Sequence, residues 1–495
     1  INWNIMKQYL SYFFLLPACL VMLLSSCRKL DDQLKSINDQ PGVYDMSPGN
    51  AFLGDTVKIT GKFHNDPNLQ FFFKGRQARI VGKGNTTAYP TGSLVYSNTP
   101  IPLEYYLVIV PDSISGSVPV TAAFDGLTFP VGTFGIRQPP ALVPGKVLVS
   151  TYAGVYNLNR IHDDSLHKAG FGNIESMIVM PDGTIYTADF DGSTYTYYIR
   201  KVADEKVSTI AGGGTELEGP GLDVRFGEIK GMAVDANGDL YIADRNTDPI
   251  NFYPYSRILK LDHLTHEVSV FAGRYSELTD NSMLNDGPRL SATFWDIGDI
   301  SFDAAGNLYV ADYSNYTIRV ISNTGIVSSP LAVQTCEGGF CYVLGGYEDG
   351  FGTEARLSQP DQIAVAQNGR VYFTEFFVLR ELNPQSMEVA TIAGFPNQNW
   401  SVRGPLNIAS FYQLRSVAPD AEGNLLVVDG NTVLKVDLTE RYVYILAGSG
   451  PQGYSNGKGE DALFNYPTEV GFDAKGNFFV ADRNNRLIRK ITVQP

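Results

Sequence analysis

Histidine, cysteine, tryptophan and basic charge are all scarce in this 495-residue chain, and each scarcity removes a class of function. Lys+Arg 38 against Asp+Glu 52 leaves a net charge of -14, so the chain lacks the positive field that polyphosphates need, and nucleic acid is excluded as a partner. Five histidines cannot build a His-rich metal site: His64 stands alone, His263 and His266 share a short turn, and only His162 and His167 remain. Four cysteines in a chain of this length exclude a disulfide scaffold, and no GxSxG nucleophile motif occurs. The one long apolar run, Leu10 to Leu24, is short for a membrane-spanning helix and is broken by Pro17. What is abundant points elsewhere. With 49 glycines, 28 tyrosines and 28 phenylalanines beside only 18% charged residues, the composition suits many short strands joined by turns.

The N-terminus supplies an address. From Met6 the chain reads MKQYLSYFFLLPACLVMLLSSC, a positive Lys7 followed by an apolar run ending in small residues, which is the pattern of a secretion signal over residues 1–26; residues 1–5 read as an extension upstream of the start. Leu24-Ser25-Ser26-Cys27 resembles the lipobox of bacterial lipoproteins, which implies that Cys27 is lipidated and anchors the chain to a membrane. The following RKLDD within a 27–39 linker resembles the charged tract that exports lipoproteins to the outer surface in Bacteroidetes, implying an outer-membrane anchor facing the exterior. Cys336 and Cys341 flank the loop CEGGFC; they form either a small disulfide in an oxidising compartment or two free thiols, and an extracytoplasmic address favours the bridge.

Residues 40–138 carry short runs such as DTVKITG, LQFFFKG, QARIVG, EYYLVIVP and GSVPVTAAFDG, whose alternation predicts a small β-sandwich. VYDMSPGNAFLGDTVKITGKF resembles the opening of IPT/TIG domains, immunoglobulin-like modules often used as spacers, and VPDSISGSVPV matches the later part of that pattern. Gln138-Pro139-Pro140 then predicts a stiff hinge.

Residues 139–495 are governed by repetition. Six segments align without gaps: VMPDGTIYTAD ending at Asp189, VDANGDLYIAD at Asp244, FDAAGNLYVAD at Asp312, VAQNGRVYFTE at Glu375, PDAEGNLLVVD at Asp429 and FDAKGNFFVAD at Asp482. The spacings are 55, 68, 63, 54 and 53 residues, and most units continue into a third and a fourth strand, the latter ending in Ala-Gly as in VSTIAG and VATIAG. Four strands at this period predict a β-propeller. The pattern xDxxGNLYVADxxNxRIxK, best kept in Asp473–Lys490, is similar to the NHL repeat. The last unit lacks a fourth strand, and KVLVSTYAG at Lys146–Gly154 is an orphan copy of one; pairing the two closes a ring of six blades. The fold class is therefore all-β, a small immunoglobulin-like sandwich followed by a six-bladed propeller closed by an N-terminal strand.

In a propeller the loops after the second and fourth strands of each unit emerge together, and here they are the long ones, so one face is the binding candidate. Trp295 and Trp400, the two tryptophans beyond the leader, lie on it, with Tyr253, Phe376, Tyr412 and Tyr466 among its aromatics. Such rings can stack on the C–H face of a sugar. Trp295 and Trp400 read as outside the repeated positions, whereas Phe294, Phe411 and Phe464 recur and belong to the core. The aligned inner strands also place Ser176, Gly231, Asp299, Gln362, Ser416 and Glu469 on the axial side, a polar ring that could hold sugar hydroxyls through Asp299, Gln362 and Glu469, or calcium in an acid-only structural site at Asp299 and Glu469. The acids repeated in every unit read as turn caps, because a catalytic group is needed once and a cap in every blade.

Lipobox, IPT/TIG-like module and NHL-like propeller together resemble surface lipoproteins of Bacteroidetes encoded beside polysaccharide-uptake systems. The resemblance implies a subunit that binds polysaccharide or oligosaccharide for an outer-membrane transporter, with no cofactor; a propeller lyase or hydrolase and a protein-interaction scaffold are the alternatives.

Overall fold

The alternating runs of the sequence become strands almost throughout a computed structural model of the chain. The structure describes mainly the strands between residues 42 and 136 and then residues 147–494, except 248–253, 275–283, 338–339, 397 and 399. The leader, Cys27, the linker and the hinge at Gln138–Pro140 lie outside the described residues, and so does Tyr253. The chain divides into two compact units, Ile1–Gln138 and Pro139–Pro495.

In the first unit, eight strands form two halves linked by the long strand Arg76–Ala88, whose register shifts between Ile80 and Gly82. Its later part pairs with Ile101–Ile109, and its start pairs with Gln70–Phe73. The shift lets one strand serve both halves. Phe71 and Phe73 are buried while Gln70 is exposed, and Ile59, Val108, Val120 and Ala122 complete the same core, as alternation demands.

The second unit contains six antiparallel sheets of five strands each. We number them as blades by their inner and outer long strands: blade 1, Asn173–Val179 to Lys206–Gly212; blade 2, Glu228–Val234 to Glu267–Ala272; blade 3, Ile297–Phe302 to Ile326–Ser328. Blade 4 runs from Ile363–Val365 to Glu388–Gly394, blade 5 from Leu414–Pro419 to Tyr442–Ala447, and blade 6 from Pro467–Phe472 to the closing strand Val147–Ala153. The orphan strand pairs with Leu487–Val493 as the missing fourth strand required. Buried clusters join every neighbouring pair, including Ile199 with Ile242, Ile258 with Val310, Ile318 with Phe373, Leu379 with Val427, Val433 with Val480, and Ile488 with Ile185. The ring is closed by apolar burial all the way round.

Each blade also has a fifth, two-residue strand that the repeat alignment did not predict: Asp164–Ser165, Gly219–Pro220, Gly287–Pro288, Gly350–Phe351, Gly404–Pro405 and Gly457–Lys458. It pairs with the outer strand and covers that edge. Gly219, Gly287, Gly404 and Gly457 sit there at φ between 121° and 137°, a conformation open to glycine, and these recurring glycines were the available signal. A hairpin inserted between blades 3 and 4 pairs Cys336 with Cys341 in register; their side chains, on which a bridge depends, lie outside the described residues.

The repeated acids do something other than cap turns. The turn cap is the first acid of the repeat, as where Asp303 accepts the Ala305 and Asn307 N–H groups and Asp473 those of Lys475 and Asn477. The last acid is buried and faces an arginine of the third strand: Asp189 with Arg200, Asp244 with Arg257, Asp312 with Arg319, Glu375 with Arg380, and Asp482 with Arg489, at 2.6–3.3 Å. Each guanidinium other than that of Arg257 also bonds two backbone carbonyls of the incoming loop, as Arg380 does with Arg356 and Glu348 at 2.8 Å, and Arg319 with Thr293 and Asn285. The acid in turn accepts an N–H from the residue 17 positions earlier, Gly172, Gly227, Ser358, Tyr412 and Asn465 in five blades. One ion pair thus pins a blade's second strand, third strand and entry loop together.

Burial still pushes the Glu375 carboxyl up to about 7 against the pull of Arg380. Replacing Arg380 by methionine strands that carboxylate, and the expected loss at pH 8 is about 3–5 kcal/mol. The stranded Glu375 takes up a proton as pH falls, so urea unfolding should show the gap between wild type and Arg380→Met shrinking by pH 5. An equal gap at both pH values would show that packing, not charge, is lost.

Candidate functional site

The inner strands begin at the axis, and their second positions meet there as the alignment placed them. They do not form an open binding ring. Asp299, Gln362 and Ser416 are all at most 9% exposed, and their polar atoms are engaged with neighbouring blades. Asp299 Oδ2 accepts the Ile363 N–H at 3.2 Å, and Ser416 Oγ donates to Glu469 Oε2 at 2.9 Å. In the amide orientation that satisfies both ends, Gln362 donates to Glu469 Oε1 at 2.9 Å and to the Arg415 carbonyl at 3.3 Å. Gly231 is glycine for a steric reason: a Cβ there would lie 2.1 Å from Asp299 Oδ1. An axial cavity of about 420 Å³ is lined by Met232, Ile300 and Val470 and equally by polar groups, among them Ser176, Ser301, Asp299 and Glu469.

Burial holds the Asp299 and Glu469 carboxyls well above ordinary carboxylate values, and the charge of Asp299 adds to the effect on Glu469. Both carboxyls accept hydrogen bonds from neighbouring blades, so they tie blades together at the axis. Among the described residues the three-group cluster with metal-like spacing is Asp239, Asp262 and His263, on the opposite face. It is already satisfied: Lys260 and His263 hold Asp239 at 2.6 and 2.8 Å, and Asp262 caps the turn at Leu264 and Thr265.

Above the axis, the loop-rich face carries a rim of ion pairs. Arg483 bridges blade 6 to Glu175 of blade 1 at 2.7 Å, Arg245 joins Glu228 and Asp296, and Lys230 joins Glu228. Asp361 belongs to this rim, and burial pushes it up to about 6 although Lys230 pulls the other way.

A hollow lies between blades 5 and 6, a recess of about 1040 Å³ lined by Arg415 of the first strand of blade 5 and by turn and loop residues including Arg403, Tyr412, Asn431, Gln452 and Tyr466. Its origin is a break in the repeat. Blade 5 has Leu434 in the third strand at the position where blade 4 has Arg380, and Arg403, from the incoming loop, pairs with the buried Asp429 at 3.0 Å instead. The corresponding loop position in blades 1, 3 and 4 is an acid bonded to the strand arginine, namely Asp163, Asp286 and Asp349. Cation and loop have exchanged places. The connection after the second strand is only Gly430-Asn431, where blade 4 has Phe376-Phe377, so less side chain fills the space.

The candidate aromatics are distributed rather than assembled. Tyr412, 53% exposed, and Tyr466 both line the recess, but Tyr466 is covered by Arg415, whose guanidinium lies 3.6 Å from the ring centre, with Arg483 at 5.3 Å. Its covered ring is not an open stacking surface. Trp400 is 51% exposed on the loop into blade 5, and its carbonyl accepts Ser410 Oγ at 2.7 Å. Trp295 is half-buried and stands 17 residues before Asp312, in register with Tyr412 before Asp429; it therefore occupies a repeated position, contrary to the reading of the sequence. Phe376, half-buried with φ of 50°, packs edge-on to Tyr313. Arg403 and Arg415 were missed by sequence reasoning, and the available signal was Leu434 in a column of arginines.

No protein-family model matches the chain. Among solved structures, a Bacteroides thetaiotaomicron protein of unknown function superposes with a TM-score of 0.51 at 18% identity, over 92% of this chain and 98% of that one. An auxiliary nutrient binding protein from Bacteroides ovatus gives 0.50 at 16% identity with the same shares. The Arabidopsis thaliana protein Suppressor of Quenching 1, chloroplastic, is 24% identical over 326 residues, 63% of this chain, and the chain spans only 25% of its length. At these identities the likeness to the two Bacteroides structures is one of fold.

The rim has a measurable titration. The folded-state value of Asp361, about 6, lies above its ordinary 3.8, so its contribution to stability is fully present below 3.8 and is lost as pH rises through about 6. Asp361→Asn should match wild type in melting temperature at pH 4 and exceed it by several degrees at pH 7. Equal melting temperatures at both pH values would place the titration elsewhere.

Proposed function

We propose that this protein captures saccharide on the loop-rich face of its propeller, as the binding component of an uptake system. The observation that carries the reading is the recess between blades 5 and 6, large enough for two or three sugar rings and bordered by hydrogen-bonding side chains and exposed Tyr412. The fold shared with an auxiliary nutrient binding protein from Bacteroides ovatus supports a binding role. In this reading Cys27 carries a lipid that tethers the chain to the outer membrane, facing the exterior. The first unit is an IPT/TIG-type spacer, the NHL-like propeller presents the site, and transporter components take up the captured polysaccharide or oligosaccharide.

The test is affinity electrophoresis against a polysaccharide panel, with assay of new reducing ends. Retardation without product is expected, and Tyr412→Ala, which removes an exposed ring from the lining of the recess, should weaken it about threefold to tenfold. Release of new ends would make the protein an enzyme instead, and absence of both retardation and product would favour a protein-interaction scaffold.

A further inference from the structure

The recess holds an arginine to which no carboxylate is hydrogen-bonded. Four ionisable side chains other than tyrosine line it: Arg403, Asp429, Arg415 and Glu460. Arg403 and Asp429 are paired with each other, and the remaining acceptor capacity of Asp429 goes to Ser401 Oγ and to the N–H groups of Tyr412 and Gln413 at 2.7–2.8 Å. Glu460 is exposed, on the short turn Gly459–Asp461 at the outer edge of blade 6.

Arg415 is held at the inner end, on the first strand of blade 5, by neutral groups alone. One terminal nitrogen donates to the Gly430 carbonyl at 2.7 Å and the other to Gln413 Oε1 at 2.6 Å; Nε is buried without a partner, and the plane rests on Tyr466. Two arginines of the axial rim on this face are paired with carboxylates, whereas Arg274 and Arg356, on loops away from the recess, donate to backbone carbonyls. Arg245 has Glu228 and Asp296, and Arg483 has Glu175. Burial lowers the pKa of Arg415, outweighing the opposing pull of Tyr466 and of the through-space charge of Asp429, so an incoming anion would relieve a cost the fold already bears. In a chain of net charge -14, a half-buried guanidinium with no carboxylate bonded to it, lining a recess of the loop-rich face, is a selective feature rather than part of a general positive field.

We infer that the recess selects saccharides carrying an anionic oxygen group, a carboxylate or a sulfate ester, with Arg415 as its recognition cation. Planar N–H donors in a partly desolvated site suit such oxygens better than they suit hydroxyls. Arg403 is committed to Asp429 and shapes the wall, and Tyr412 and Asn431 border the position the sugar ring would take. This inference rests on the saccharide-binding reading and adds the class of sugar.

The test compares matched pairs that differ only in charge: polygalacturonate with its fully methyl-esterified form, and dextran sulfate with dextran, titrated against the full chain. At least one charged member is expected to bind about tenfold or more tightly than its neutral counterpart, the fold-change of one charge-assisted hydrogen bond. Which pair shows the difference tells carboxylate from sulfate ester. Arg415→Gln should remove the preference. Gln413→Glu should also remove it, because it supplies a carboxylate to Arg415 at the atom that already accepts its N–H, and it keeps the contact that holds the fold. Melting temperature near that of wild type confirms folding, and the Gln413→Glu result decides the matter if Arg415→Gln is unstable. Equal binding of charged and neutral members overturns the charge selection and leaves saccharide binding standing. A preference that survives in folded Gln413→Glu overturns the role of Arg415, and binding to none of the four polymers overturns both readings.

Discussion

The buried pair of carboxylate and guanidinium at the end of each blade's second strand is the constraint on which the propeller depends. An acid out of water is costly, and so is an arginine; each is tolerable only because the other is in place and because the loop carbonyls and amides complete the remaining hydrogen bonds. The pair therefore fixes more than two side chains. It fixes where the incoming loop must pass, since that loop supplies the acceptors for Arg200, Arg319, Arg380 and Arg489. Apolar clusters between blades hold the ring together, but they do not by themselves specify the paths of the loops on its upper face.

This explains why a recess appears where the constraint is met in a different way. Blade 5 keeps the buried acid, Asp429, and so must still supply a cation. With Leu434 in the third strand, the cation comes from the loop as Arg403, and the loop no longer needs an acid to face a strand arginine. Exchange of the two roles, together with the short Gly430-Asn431 turn, leaves a hollow of about 1040 Å³ on a face otherwise crossed by ion pairs. The functional reading follows from that local departure rather than from the repeat, since what is present in every blade serves the fold.

The axis shows the converse. A ring of polar residues at the start of the inner strands looked like an opening, yet six strands converging on one line leave little room, and the side chains satisfy one another across blades. Asp299 and Glu469 become cross-links between blades, with Gly231 making space for one of them. Polarity at a convergence point marks mutual satisfaction as readily as a ligand site.

The amino-acid sequence by itself determined the blade count, the strand pairing and the closing strand, because those follow from short-range periodicity and a repeated turn that each unit carries locally. Phe294, Phe411 and Phe464 were legible as core for the same reason. Only the tertiary structure decided what the repeated acids face and that Tyr466 lies under Arg415. Those facts depend on loops distant in sequence folding back onto a strand, 26 residues away where Arg319 meets Thr293 and 38 where Arg200 meets His162, and no local pattern encodes which loop atom meets which guanidinium. That no carboxylate is bonded to Arg415 belongs to the same class. Scarcity of basic residues was visible in the composition, but which of the few lacked a bonded carboxylate could be known only once every carboxylate near it had been placed.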